Sequence, residues 1–413
     1  MEAARRASVA MVEAAFDLAH APAWRLGVVS LDAEQHWLTL CVHHIVADGW
    51  SQAILVRELA ALYDEEATGA AAALAPLPVQ FGDYASWLRE WHALRRLPAQ
   101  MEYWKARLAG LPENLRLPLD RPRPAHRDAV AGSHTLRLDA ATSDAVRQLA
   151  RASGASVFMV MLAAFKYTLS RYCGADDVVV GTPLANRDQA ETHGLIGYFT
   201  NTAVLRTRVN RDASLRELVA DVRDTVLQAQ SHADCPFDVL VSELAGERVS
   251  GLNPLFQVKC TEQAQGDAIG AGFGSLGMRP MSLHAQQAHF DLSLDVTNGR
   301  DAIQCQFDYA ADVFDAATIM ALAEAFGQWL RQGVADADIP LVELPLAHAS
   351  GETGGETVAW AATDVLTLWD AWVAHAPTAT AAVQEDRSLS REALDGIATT
   401  LAGSCLLYTS RCV

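Results

Sequence analysis

Ten residues, 42–51, carry the densest chemistry in this chain: VHHIVADGWS. Two imidazoles, a carboxylate and a glycine within that string are the residue types of proton transfer and acyl transfer. Adjacent side chains at the end of a strand point to opposite faces, so His43 and His44 cannot share one task or one metal ion. One faces a site and the other supports it. Asp48 suits the anchoring of a turn through an arginine, or the holding of a loop that orients an imidazole, and Gly49 allows a close backbone approach. Trp50 and Ser51 begin a helix whose first N–H groups could assist an oxyanion. A metal centre is a poor fit, because only one histidine and Asp48 can converge and no third ligand stands out.

A single histidine is more often a packed or surface residue than a reactive one. The whole string, set between a strand and a helix, shifts that balance, because loops in such places commonly carry function. Residues 36–42 alternate as a strand, and residues 51–65 place Leu55, Leu59 and Leu62 at helical spacing. The positioning unit is therefore strand, loop, helix. Further on, residues 156–172 read as an apolar helix, 177–181 (DVVVG) as a β-branched strand and 199–209 as an alternating strand. Ser214 and Glu217 are spaced as a capping box ahead of a helix over 214–230. Asn298 and Gly299 suit a tight turn between strands over 290–296 and 303–309, and residues 313–330 close the region as an amphipathic helix. The proline-bearing stretches LAPLP (74–78) and LPENLRLPLDRPRP (111–124) mark connections between bodies of structure, and ASGETGGET lies in a plausible linker.

At roughly 150 residues per domain, 413 residues predict two or three domains. Thirty-two Lys+Arg against 50 Asp+Glu leave a net charge of −18, which disfavours nucleic acid and anionic membrane surfaces as partners. The seven cysteines are scattered without a C-x-x-C pair, and read as reduced thiols of a cytoplasmic protein. The longest apolar run falls far short of the roughly 20 residues that cross a bilayer. Alternating strands and helices predict an α/β (α+β layered) fold.

HHIVADGWS resembles the HHxxxDG motif of condensation domains of nonribosomal peptide synthetases. FGDYASW (81–87), IGYFTNTAVLR (196–206), HADCPFD (232–238) and RVSGLNPLFQV (248–258) resemble later motifs of that family, in the same order. The likeness covers about residues 8 to 345. It implies two chloramphenicol-acetyltransferase-like lobes in a V around a central tunnel, the first lobe incomplete because two opening motifs of the family are absent. Residues 1–74 are then a partial N-terminal lobe, 75–346 the C-terminal lobe and 347–363 a linker. Residues 364–403 resemble the start of an adenylation domain, with Arg391 where that family has tyrosine, and 404–413, which break the pattern, are expected to be a non-native tail.

The implied reaction joins an upstream acyl or peptidyl thioester to the amine of a downstream aminoacyl thioester. Peptidyl carrier proteins deliver both on phosphopantetheine, the adjoining adenylation domain is a further partner, and nothing else is bound directly. In that scheme His44 is the catalytic candidate, as base or as positioner of the amine. His43, Asp48 and Gly49 support it, Arg187 and Arg206 are the candidate partners of Asp48, and Trp50, Gly197 and Asn201 are candidates for the tunnel wall. With its first lobe incomplete, the chain as it stands is expected to be inactive. An epimerization domain reads DGxSW, whereas Trp50 here follows Gly49 directly, and a heterocyclization domain replaces the histidines by aspartates. A coenzyme A-dependent acyltransferase of the same fold and a non-catalytic recruitment domain are the alternatives.

Overall fold

The computed structural model describes residues 1–91, 97–112, 115–124, 130–244, 253–263, 276–279, 281, 288–344, 365–384 and 387–409. The linker expected at 347–363 and the first half of the motif beginning at Arg248 lie outside these residues. The chain divides into two compact units, residues 1–348 and 349–413.

The first unit opens with α1 (Glu2–Glu13), an antiparallel ribbon of β1 (Trp24–Ser30) and β2 (His36–Val42), and α2 (Gly49–Thr68). Period-two alternation gives the ribbon two faces. On one, Trp37 donates its indole N–H to Ser8 Oγ of α1 at 2.8 Å. A Cβ on Gly27 would stand 2.4 Å from Met11 Cε, so any larger residue there would push the Met11 side chain aside. On the other face Trp24, Leu26, Val28 and Leu38 are exposed.

Two helices follow, α3 (Phe81–Trp91) and α4 (Leu97–Arg107). A layered body then runs through β3 (Ala131–Arg137), α5 (Ala140–Ala152), α6 (Val157–Cys173), β4 (Asp177–Leu184), β5 (Asn201–Arg208), α7 (Leu215–Ser231), α8 (Phe237–Leu244), β6 (Val258–Gln263), β7 (Leu292–Asn298), β8 (Ile303–Ala310) and α9 (Ala316–Ala335). Its six strands form one sheet in the order β3-β8-β7-β6-β4-β5, with β6 parallel to both β4 and β7 and the other pairs antiparallel. The α/β layering expected from the alternation of strands and helices is thus present. The capping box forms as its spacing demands, Ser214 accepting from the Glu217 N–H and the Glu217 carboxylate from the Ser214 N–H. β7 and β8 make the expected hairpin, but Asn298 is the last residue of β7, paired with Ile303, so the connection is a four-residue loop, 299–302, and not a tight Asn298–Gly299 turn.

α6 is apolar almost all round and is buried from Met159 to Ser170, as a helix with no polar face must be. Lys166 sits within that span, and its Nζ donates to Leu205 O at 2.6 Å and Thr207 Oγ1 at 3.0 Å. Burial pulls its pKa down to about 7. The unfolded chain keeps this amine protonated up to the ordinary lysine range, so folding releases a proton between about pH 7 and 10, and stability rises with pH across that window. Replacing Lys166 with Met should abolish this rise, whose size is on the order of 4 kcal/mol at most. Urea midpoints taken from pH 7 to 10 measure it, and an unaltered slope would show that the amine is charged in the fold.

The second unit comprises α10 (Val365–His375), an antiparallel pair of β9 (Thr380–Gln384) and β10 (Arg387–Ser390), and α11 (Arg391–Thr409). Arg391 stacks its guanidinium 4.0 Å from the Trp372 ring and donates to Trp372 O. α11 runs through Gly403 as far as Thr409, and so enters the stretch 404–413 where a tail was expected. Among the described residues no single helix is long and apolar enough to cross a membrane.

Candidate active site

β2 delivers the chain into the HHIVADG loop, and the two histidines do part company there. His43 extends the ribbon through its N–H to Ala23 O, accepts the Ile45 N–H on Nδ1 at 3.1 Å and sets its ring edge-on to Phe16. It closes the turn. His44 points elsewhere: Nδ1 lies 2.8 Å from Ala47 O, and its ring meets that of Tyr198 edge-on at 5.1 Å. A carbonyl oxygen can only accept, so Nδ1 carries a proton, and in the neutral ring Nε2 presents a lone pair.

Asp48 is the N-cap of α2 and is 2% exposed. Its Oδ1 accepts from the Ser51 N–H (2.9 Å), the Ser51 hydroxyl (2.7 Å) and Arg187 Nη2 (3.0 Å), while Oδ2 accepts from the Phe199 N–H (3.1 Å). The Ser51 N–H is thereby consumed by the cap and cannot serve an oxyanion. Burial drives the Asp48 carboxyl upward, but the Ser51 and Phe199 hydrogen bonds and the Arg187 charge outweigh it and hold the pKa below the usual carboxylate range. Burial lowers the Arg187 pKa, with Asp48 opposing, and the pair stays ionised.

Arg187 arrives from a turn that begins at Asn186, whose φ of 51° lies in the left-handed region that asparagine tolerates. Its Nη1 donates to Thr192 O and Leu195 O, and its guanidinium lies 4.0 Å from the Phe199 ring. Ser51 Oγ also accepts from Arg187 Nη2 (3.0 Å) and from the Gly197 N–H (3.1 Å). Five residues thus form one knot between the start of α2 and residues 187–199.

Of the two arginines considered for Asp48, only Arg187 reaches it. Arg206 pairs with Asp177 at 2.6 Å and donates to Ala109 O and Gly110 O, because β5 directs it to the strand opposite, where Val179↔Arg206 register places Asp177 within reach. Gly49 is exposed in the first turn of α2, and Trp50 is half-exposed with its indole N–H on His193 O. Gly197 is buried, and a Cβ there would stand 2.3 Å from Phe81 Cδ2. Asn201 spends its amide on Ala233 O, Cys235 O and the Phe237 N–H, tying β5 to the head of α8. Phe81, Tyr84 and Trp87 line one face of α3, the first two against Phe199. Tyr198 is a member of the site that residue type and spacing do not reveal, its only signal being its place between Gly197 and Phe199. Among the described residues no three His, Cys, Asp or Glu side chains come together as a metal site, and Cys41, Cys173, Cys235, Cys260 and Cys305 are free thiols.

The family model of the condensation domain matches residues 2–351. The chain belongs to the condensation-domain family of nonribosomal peptide synthetases. It is 39% identical over 338 residues to one of the linear gramicidin synthase proteins of Brevibacillus parabrevis, covering 80% of this chain and 6% of that protein. The chain therefore spans less than a tenth of the gramicidin synthase proteins it matches. Among solved structures, the X-domain from teicoplanin biosynthesis is 30% identical with a TM-score of 0.74, over 82% of this chain and 77% of that one. The first condensation domain of the calcium-dependent antibiotic synthetase, in complex with a substrate analogue, shares the fold at 24% identity and a TM-score of 0.68, over 84% and 77% of the two chains.

Proposed function

We propose that this chain forms an amide bond between an acyl or peptidyl thioester and the amine of an aminoacyl thioester, each carried on the phosphopantetheine of a peptidyl carrier protein. Family membership supports the reaction class. The observation that carries the chemistry is the placing of His44 on an exposed loop, with Nδ1–H spent on Ala47 O and, among the described residues, no partner on Nε2. The amine nitrogen bonds to the thioester carbon as the carbon–sulfur bond breaks. Nε2 accepts an N–H of the amine, orients its lone pair, and passes the proton on to the departing sulfur. Alignment of two tethered substrates supplies the larger share of the rate, and proton handling about 10² to 10⁴. Attack, collapse and proton return balance without a bound metal or nucleotide.

In this reading Asp48, Arg187 and Ser51 hold the loop, His43 closes its turn, Gly49, where a Cβ would meet nothing within 4 Å, has no steric role, and half-exposed Trp50 is the remaining candidate for a tunnel wall between two lobes that divide near residue 74. Residues 364–403 open an adenylation domain, and the protein works in the cytoplasm with its thiols reduced.

The test supplies a donor carrier loaded with an acyl group and an acceptor carrier loaded with an amino acid to this chain. The acceptor should gain the acyl mass. Equal turnover from acyl-coenzyme A would convert the reading into a coenzyme A-dependent acyltransferase. A second reading, recruitment without catalysis, is favoured by the likeness to the X-domain, which has also been solved in complex with OxyB. Binding of a partner with no mass gained by the acceptor would establish it.

A further inference from the structure

We propose that Tyr198 is a positioning residue for the acyl-transfer reaction, holding the His44 ring in the plane that presents Nε2. The inference rests on the reading of His44 given above. A single hydrogen bond from Nδ1 to Ala47 O sets the tautomer and one point of the ring, but leaves the imidazole free to swing about that bond. The Tyr198 ring supplies the second constraint, meeting the imidazole at 84° with centroids 5.1 Å apart, the edge-to-face geometry that aromatic quadrupoles favour.

Tyr198 is itself held from both sides by the histidine loop. The Gly197 N–H donates to Ser51 Oγ, and the Phe199 N–H donates to Asp48 Oδ2. The knot around Asp48 therefore carries Tyr198 onto His44, linking two segments more than 150 residues apart. Its neighbours turn inward, Phe199 being 3% exposed, whereas Tyr198 is 46% exposed. Packing of the core does not require an aromatic ring there. Among the described residues no polar atom bonds its hydroxyl, so the ring alone makes the contact.

The substitutions Tyr198→Ala and Tyr198→Phe separate ring from hydroxyl. In the two-carrier assay, Tyr198→Ala should lower kcat about ten- to hundredfold with KM for each carrier nearly unchanged, and Tyr198→Phe should restore kcat. The thermal midpoint should stay put in both. A second measurement needs no turnover: NMR relaxation and NOE contacts of the His44 ring in histidine-labelled chain should show one fixed ring orientation in the wild type and Tyr198→Phe, and a mobile ring in Tyr198→Ala. Unchanged His44 signals in Tyr198→Ala would overturn the proposal. So would a Tyr198→Phe variant as slow as Tyr198→Ala, which would put the hydroxyl on the substrate. If His44→Ala turned over like the wild type, the catalytic reading of His44 would fall, while the NMR signals would still decide whether Tyr198 holds the ring.

Discussion

His44→Ala is expected to cut amide formation between two loaded carriers by about 10² to 10⁴ while leaving the fold intact. Among the described residues the imidazole has one polar tie, to Ala47 O, and it stands on an exposed loop, so its loss strands little buried polarity. What disappears is the Nε2 acceptor that orients the amine and takes its proton. KM for the carriers should change far less than kcat, since the group acts where charge and protons move and not where carriers dock. Mass spectrometry of the acceptor carrier measures the effect, with circular dichroism and a thermal midpoint as the check on folding. Near-normal turnover by the alanine variant would remove His44 from the mechanism.

Asp48→Ala should do the reverse, striking stability first. The carboxylate caps α2, accepts four hydrogen-bond donors and neutralises a buried arginine, so its removal leaves Arg187 uncompensated at a cost of about 3 to 5 kcal/mol. Arg187→Met alone should cost a comparable amount, and the double variant much less than the sum, because the remaining charge is then gone as well. The pH dependence has a definite sign. Since the folded pKa of Asp48 is depressed, its contribution is complete above the ordinary carboxylate value and is lost as pH falls through the lower, folded one. The wild type should therefore lose more stability than Asp48→Ala on acidification below about pH 4. Denaturant midpoints at pH 7 and pH 3 read both effects. Additive single and double variants, or an Asp48→Ala midpoint equal to that of the wild type, would show that the knot is not what holds the loop.

Local pattern alone determined a good deal of this protein. The alternation over 36–42, the leucines at helical spacing after Ser51 and the polar loop between them placed His43, His44 and Asp48 on a strand–loop–helix unit, and the capping spacing of Ser214 and Glu217 set the start of α7. Such features are legible because strand period, helix period and caps are set by residues a few positions apart. The partner of Asp48 is of another kind. Arg187 and Arg206 carry the same charge, and only the register of β4 against β5 sends Arg206 to Asp177 while the Asn186 turn brings Arg187 across 139 positions to the carboxylate. The contact of Tyr198 with His44 and the closeness of Gly197 to Phe81 depend on the same packing of distant segments. Contacts of that range leave no period in the sequence, because they are chosen by how preformed elements fit together, and it was tertiary structure that decided which residues surround the imidazole.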